Sequence, residues 1–339
     1  SVLKQSAQLI ELSPKTLLEG KTPRLIDEWQ ALPLIWDSIR SEVDKRGEPS
    51  QFILTGSSVL PEADETIHSG TGRFAYIKMR PMSLYESGES NGTVSLTDLF
   101  EGKPFKTQSN DLTIDDIAYL TCRGGWPWAT LIPKEVALDQ AFDYVDSVVN
   151  RDIQRVDGVK RNPERAKSLL RSYARNISQP IPYSTIRKDM LANDSSTLDE
   201  DTRHFVDPSI GTASLGLGPQ NLINDLKSFG FFFEDMVVRD LRVYAEALDG
   251  KLYHYKDSTG LECDTVLHRR NGSYALLEVK LGGEDNINEG AANMLKLAAN
   301  IDTDKMPAPS FMAVIIGVGK YAFRRDDGVY VIPIGCLKD

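Results

Sequence analysis

Residues 24–29 read Arg24-Leu25-Ile26-Asp27-Glu28-Trp29, a short apolar run that stops on two adjacent carboxylates. A run that is apolar and then abruptly polar is the pattern of a strand buried in a parallel sheet, with its carboxyl end at the solvent edge. Residues 52–58, Phe52-Ile53-Leu54-Thr55-Gly56-Ser57-Ser58, repeat the pattern. Between the two, Pro33–Arg46 sets Leu34, Ile35, Ile39 and Val43 at roughly helical spacing. Strand, helix, strand predicts an α/β fold, with chemistry gathered where the parallel strands end. Tyr76–Met82 is a further strand candidate.

The residues at those strand ends are of the types that nucleotide hydrolysis needs. One carboxylate, Asp27, can hold the hydration shell of Mg²⁺, and a second, Glu28, can orient and activate the attacking water. Thr55 and Ser57, hydroxyls beside Gly56, suit a sensor of the γ-phosphate or of that water. Ser69-Gly70-Thr71-Gly72-Arg73 places a cation on a Gly-rich loop, where it can neutralise charge developing on a transferred phosphoryl group. A solvated strand end and a surface salt bridge are the plainer readings of the Asp-Glu pair and of Arg73.

The order RLIDEWQ, FILTGSS, SGTGRF, RPMSLYESGES resembles the bacterial and archaeal AAA+-type ATPases that carry a C-terminal domain of unknown function, over nearly the whole chain. The resemblance implies Asp27 and Glu28 as the Walker B pair, Thr55 or Ser57 as sensor 1, Arg73 as a candidate arginine finger, and ATP with Mg²⁺ as cofactors. No G-x-x-x-x-G-K-[ST] loop occurs, although such a loop cradles the phosphates in this family. The chain opens at Ser1 in what reads as the middle of a domain. The expectation is therefore a P-loop AAA+-like core truncated at its N-terminus.

Further along, Ala137–Val156 and Pro163–Ile177 read as amphipathic helices, the second opened by Asn162-Pro163. Ile181–Met190 reads as a short helix and Gly211–Pro219 as a loop. Ile181 to about Thr202 resembles the helix-turn-helix of a winged-helix unit. Its second helix would carry Asp199, Glu200 and Asp201, a poor surface for phosphates and a better one for packing or protein contact. The family has a longer stretch before His204, so a second segment is expected to be missing there. Gly124-Gly125-Trp126-Pro127-Trp128 is either a stacking platform for bases or, more simply, an aromatic packed at a helix end.

A long helix is predicted from Ser228, then strands at Leu252–Tyr255, Cys263–His268 and Tyr274–Val279, a helix over Asn288–Ala299, and strands at Phe311–Ile316 and Val329–Ile334. Residues two apart in a strand share a face, so Glu278 and Lys280 point together and Val279 points away. A hairpin that adds Asp264 gathers two carboxylates and an ammonium, the set that metal-dependent phosphodiester hydrolysis uses with Mg²⁺ or Mn²⁺. Glu234 on the preceding helix is a further metal ligand by this reading, Glu262 an assisting acid and Lys296 a phosphate contact. A simple cross-strand ion pair is the competing account. The order helix Glu, strand Asp, strand Glu-x-Lys resembles the PD-(D/E)XK nuclease fold, and it matches at Glu234, Asp264, Glu278 and Lys280.

The chain of 339 residues, 41% hydrophobic and 26% charged, has ordinary globular composition and is long enough for about two or three domains. A net charge of −10 argues against non-specific coating of nucleic acid, though not against a local basic groove. Three scattered cysteines build neither a zinc site nor a disulfide framework and point to a reducing cytoplasm. No apolar run has the roughly 18 residues of a membrane span. The expected architecture is an α/β multidomain chain: an ATPase core over 1–108, a helical winged-helix-like region over 109–205, and a restriction-endonuclease-like α/β domain over 206–339. Two functions follow: ATP hydrolysis coupled to cleavage of DNA or RNA, or a nucleotide-controlled switch that binds a partner protein. A homo-oligomer is compatible with a finger supplied in trans.

Overall fold

The computed structural model of the chain describes residues 14–31, 35–56, 72–105, 107–108, 110–152, 162–182, 200–202 and 204–339. Contacts divide it into two units, Ser1–Met79 and Arg80–Asp339.

In the first unit a short helix α1 (Pro14–Leu18) precedes strand β1 (Arg24–Ile26), helix α2 (Ile35–Arg46) and strand β2 (Phe52–Leu54). The two strands pair in parallel, Arg24 with Phe52 and Ile26 with Leu54, as the strand-helix-strand pattern predicts. Helix α2 carries Asp37 in its first turn and Lys45 and Arg46 in its last, which complements the helix dipole. Its buried face, Ile35, Trp36 and Ile39, packs with Leu18 and Trp29, and Trp36 stacks on Phe74 with centroids 3.9 Å apart. The Tyr76–Met82 run forms no strand; Tyr76, Ile77 and Met79 are exposed, and Pro81 interrupts the run with a residue that has no N–H to give a ladder.

The second unit is built on one long helix and one sheet. Strand β3 (Val94–Ser95) and helix α3 (Leu96–Phe100) are followed by α4 (Ile114–Arg123), α5 (Lys134–Asn150) and α6 (Pro163–Arg175). Local chemistry sets their starts. Thr113 and Asp116 exchange bonds in a capping box at α4, and Asn162 caps α6 with Pro163 in its first turn. Then come β4 (Pro180–Pro182), β5 (Glu200–Thr202), α7 (Pro208–Leu215), α8 (Pro219–Asn224) and the 22-residue α9 (Leu226–Ala247).

Two expectations fail here for physical reasons. Gly211 lies in helix α7, not in a loop, because its missing Cβ lets the helix press on Phe205 and Phe232; an added Cβ would stand 2.8 Å from the Phe232 ring. Gly216, left-handed at φ 71°, then ends the helix. Pro180–Pro182, the start of the expected helix-turn-helix, pairs as a strand with Glu200–Thr202, while residues 183–199 lie outside the described residues.

Strands β6 (Gly250–Lys256), β7 (Glu262–Arg269) and β8 (Tyr274–Lys280) form an antiparallel meander. After helix α10 (Glu284–Ala299), β9 (Phe311–Ile316) joins β8 in parallel; β10 (Phe323–Arg324) and β11 (Tyr330–Pro333) complete the six-stranded order β10-β11-β9-β8-β7-β6. Leu267, Leu277, Val279 and Ile315 face the α9 side, which buries Phe229, Phe233 and Met236. Leu276, Val314 and Ile316 face Ala291, Met294 and Leu297 of α10. Each fully buried Phe or Met contributes about 1.5–3 kcal/mol. The chain ends with β12 (Leu337–Lys338) paired to β3, so residues near 94 are held in this unit by the C-terminus.

The Gly-Gly-Trp stretch after α4 resolves as packing at Trp126, whose indole N–H donates to Ser209 Oγ (2.9 Å) while its ring meets Tyr144. Trp128 is exposed. Gly125 is the tightest point: a Cβ there would lie 2.1 Å from the backbone oxygen of Met82, which the chain cannot yield because Met82 N–H donates to Gly125 O at 2.7 Å. Gly125→Ala should therefore cost at least about 2 kcal/mol, read as a lower urea midpoint. An unchanged midpoint would mean that the Met82 segment moves freely.

Candidate functional site

In the first unit the two strand ends meet as the sequence predicts. Thr55 Oγ1 donates to Asp27 Oδ1 at 2.6 Å, and the Thr55 N–H bonds Ile26 O, so the hydroxyl is fixed beside the first carboxylate. Glu28 turns out of the strand in left-handed backbone, φ 53°, a conformation that costs a non-glycine residue about 1–3 kcal/mol and recurs at functional turns. Gln30 donates from its amide nitrogen to Glu28 Oε2. Asp27 and Glu28 are both exposed. Arg73 pairs instead with Asp44 of α2 (2.6 Å), and this bond raises the guanidinium pKa and lowers that of the Asp44 carboxyl. Ser57 lies outside the described residues.

The second cluster forms where β8 ends. Antiparallel pairing with β7 brings Asp264 beside Glu278 and Lys280. Lys280 Nζ stands 2.9 Å from Glu278 Oε2 and 3.7 Å from Asp264 Oδ2. The Val279 N–H donates to Asp264 Oδ2 at 2.8 Å, which fixes that carboxylate to the neighbouring strand. Gly290 of α10 permits this crowding, since a Cβ there would reach 3.3 Å from Glu278 Cβ and 3.4 Å from Lys280 Cε.

Burial dominates the electrostatics. It pushes the Glu278 carboxyl up to about 8, helped by the Asp264 charge and opposed by Lys280. Glu234, on α9, rises well above the usual carboxylate range through burial and then the Asp264 charge, again with Lys280 opposing. Burial lowers the Lys280 pKa, but the Asp264 and Glu278 charges outweigh it and hold the ammonium protonated.

Two of the residues around this set stand apart from it. Glu262 is engaged by His254 Nε2 (2.8 Å) and Lys256 Nζ (2.9 Å); burial raises its pKa, yet those bonds win and leave it lowered. Lys296 is exposed on α10. Among the described residues no group of three or more His, Cys, Asp or Glu side chains is placed to hold a metal ion.

Sequence reasoning missed His204 and Asp235. His204 Nδ1 lies 3.1 Å from Asp235 Oδ1, and Nε2 lies 3.9 Å from Glu234 Oε1. The Glu234-Asp235 pair in a helix was the available signal; the histidine, 30 residues upstream in a segment with no periodicity, offered none.

Residues 3–88 match the family described as AAA domain, residues 114–203 a domain of unknown function (DUF8612), and residues 229–337 a domain of unknown function (DUF4143). No curated protein and no solved structure matches the chain. None of the described helices is long and apolar enough to cross a membrane. The chain is thus similar to an AAA domain over residues 3–88 and to a domain of unknown function (DUF4143) over residues 229–337.

Proposed function

We propose that nucleotide hydrolysis in the first unit is coupled to phosphodiester cleavage at the Asp264–Glu278–Lys280 cluster of the second. The observation that carries the reading is the convergence of Lys280 Nζ on Glu278 and Asp264 at a buried strand end. An ion pair that served stability alone gains little from such burial, because taking charged groups out of water commonly costs as much as their attraction returns.

The residues divide the chemistry between them. Lys280 remains an ammonium, so it is no base; it offsets negative charge on the phosphoryl oxygens as the transition state forms. Glu278, pushed up to about 8, exchanges a proton near neutral pH, as a general acid–base group must. Asp264 is held in place by the Val279 N–H. Asp264 and Glu278 would be the carboxylates to hold a hard divalent cation, with water as the rest of its shell, since no three such side chains are placed to cage an ion among the described residues. Mg²⁺ commonly takes only one or two carboxylates and keeps water for the rest, so an all-protein cage is not required. Bound there, Mg²⁺ or Mn²⁺ would supply a water of lowered pKa and a polarised phosphoryl oxygen.

In the first unit Asp27 and Glu28 take the hydrolytic roles, with Thr55 holding Asp27. Glu28→Gln should cut ATP turnover about 100-fold or more while nucleotide binding persists; equal turnover would remove Glu28 from the mechanism.

The test of the nuclease reading is incubation of the protein with single- and double-stranded DNA and RNA in Mg²⁺ or Mn²⁺. A Glu278→Ala/Lys280→Ala variant serves as control. Cleavage by the wild type, at least about 100-fold faster than by the variant, is expected. Equal cleavage by both sinks the assignment. No cleavage of any substrate by folded wild type transfers the reading to a nucleotide-controlled platform that binds a partner protein.

A further inference from the structure

We infer that the exposed face of strand β6 is a docking track for single-stranded nucleic acid, on which Tyr253 and Tyr255 stack bases and Lys251 meets the phosphate backbone. The inference rests on the phosphodiester reading above and names its substrate class.

Strand register sets the face. Leu252 pairs with Leu267 on the α9 side, so Lys251 and Tyr253 point the other way, toward the side that α10 partly covers. Opposed residues share a face, and Tyr255 opposes Cys263, which is buried among the α10-side residues. Between the tyrosines, two steps on β6 oppose three on β7, from Val266 to Cys263. The extra residue therefore lies on β7, and alternation on β6 is unbroken. Cys263 is the chain neighbour of Asp264, and Glu278 and Lys280 approach Gly290 of α10 on this same side. The face runs up to the cluster.

Its composition is aromatic and basic. Tyr253 is 54% exposed and Tyr255 36%, and the paired Lys251 and His268 are exposed beside them. Tyr253 meets His268 edge to face at 6.4 Å, so the two rings do not stack on each other. Arg270 is exposed at the turn that follows β7. Lys251 and Arg270 form no ion pair among the described residues. The acids of this edge are already engaged: Glu262 by His254 and Lys256, Asp257 by Thr259 and the Leu261 N–H. A chain of net charge −10 thus keeps a local surface whose free charges are positive.

A protein strand is the other occupant that an edge invites. Lys251 and Lys256 toward the two ends, with the bulge between them, are devices that turn such a partner away. Rings two residues apart on a sheet, with a cation in line, suit successive bases and their phosphates.

The experiment reads the fluorescence anisotropy of a labelled oligothymidylate of about 15 nucleotides, in a chelator so that binding is seen without cleavage. Tyr253→Ala/Tyr255→Ala should bind it about 10-fold or more weakly, and Tyr253→Phe/Tyr255→Phe within about threefold of wild type, because stacking uses the ring and not the hydroxyl. A DNA duplex, whose bases already stack on one another, should lose less than about threefold in the alanine variant. Lys251→Ala should reduce the slope of log affinity against log salt by about 0.7 for the single strand. Equal binding of the oligonucleotide by wild type and alanine variant, or an equal loss for the duplex, overturns the proposal. No binding by folded wild type overturns it too and leaves the face to a protein partner. Should the alanine variant not fold, an unchanged slope in Lys251→Ala overturns it. The cleavage assay above judges the nuclease reading separately. Tyrosine-dependent binding without cleavage upholds the track and removes that reading, and cleavage of single strands indifferent to the tyrosines does the reverse.

Discussion

Arg239→Met is expected to lower the unfolding free energy of the second unit by about 3–5 kcal/mol. Arg239 sits inside α9 at 1% exposure, between two carboxylates that are themselves fully buried. Nη2 lies 2.7 Å from Asp240 Oδ1 and Nη1 lies 3.1 Å from Asp207 Oδ2. Each carboxylate also holds backbone from a different part of the unit. Asp240 Oδ2 accepts from Leu84 N–H, Asp207 Oδ2 accepts from Gly125 N–H, and Asp207 Oδ1 caps α7 through Ser209 N–H. The three residues tie the long helix to the segment after Arg80, to the turn after α4 and to the start of α7.

Burial already pushes the Asp240 carboxyl up against the pull of Arg239, and the two acids hold the guanidinium protonated. Methionine fills similar space but leaves both acids without a counter-charge in a region that water does not reach. Adding Asp240→Asn to Arg239→Met should recover part of the loss, because one uncompensated charge is then gone. Urea unfolding followed by tryptophan fluorescence measures both variants. A loss below about 1 kcal/mol would mean that water enters and solvates the acids.

Much of the fold of each unit is legible in residues 24–56 and 226–316, and little of it between. The parallel pair Arg24–Ile26 and Phe52–Leu54 is readable because an apolar triplet ending in polar residues has few other meanings. The Glu278/Lys280 face is readable because strand geometry forces alternate residues together, and the antiparallel hairpin then delivers Asp264. What alternation does not encode is company. Tyr76–Met82 finds no strand to pair with, and Gly211–Pro219, which reads as a loop by its glycine content, begins inside the buried helix Pro208–Leu215. Arg239, Asp207 and Asp240 read as ordinary charges of two helices; only the fold shows that they meet. The same holds for His204, whose partners Ser178 and Asp235 lie on either side of it in sequence.

Glu278→Gln should turn the cluster's cost into a measurable pH dependence. With metal removed by a chelator, the Glu278 carboxyl of the folded protein releases its proton only near pH 8, while in the unfolded chain it does so near the ordinary value of 4.5. Below about pH 4.5 both states hold the proton and the stability owed to the raised pKa is fully present. As pH rises, the unfolded chain ionises first, so the folded state loses ground until its own carboxyl ionises near 8. The variant carries no such titration. It should match wild type near pH 4 and exceed it at pH 8.5 by up to about 3–5 kcal/mol. Glu234 is raised in the same sense and leaves a residual slope in the variant. Thermal unfolding across that range gives the comparison, and parallel curves would mean that Glu278 ionises in the folded protein as it does in water. Mg²⁺ or Mn²⁺ adds the functional half of the argument. An ion that binds the Glu278 carboxylate should restore the wild type at pH 8.5 by mass action and restore the glutamine variant less. The instability of the empty cluster is then the same free energy that favours its occupation.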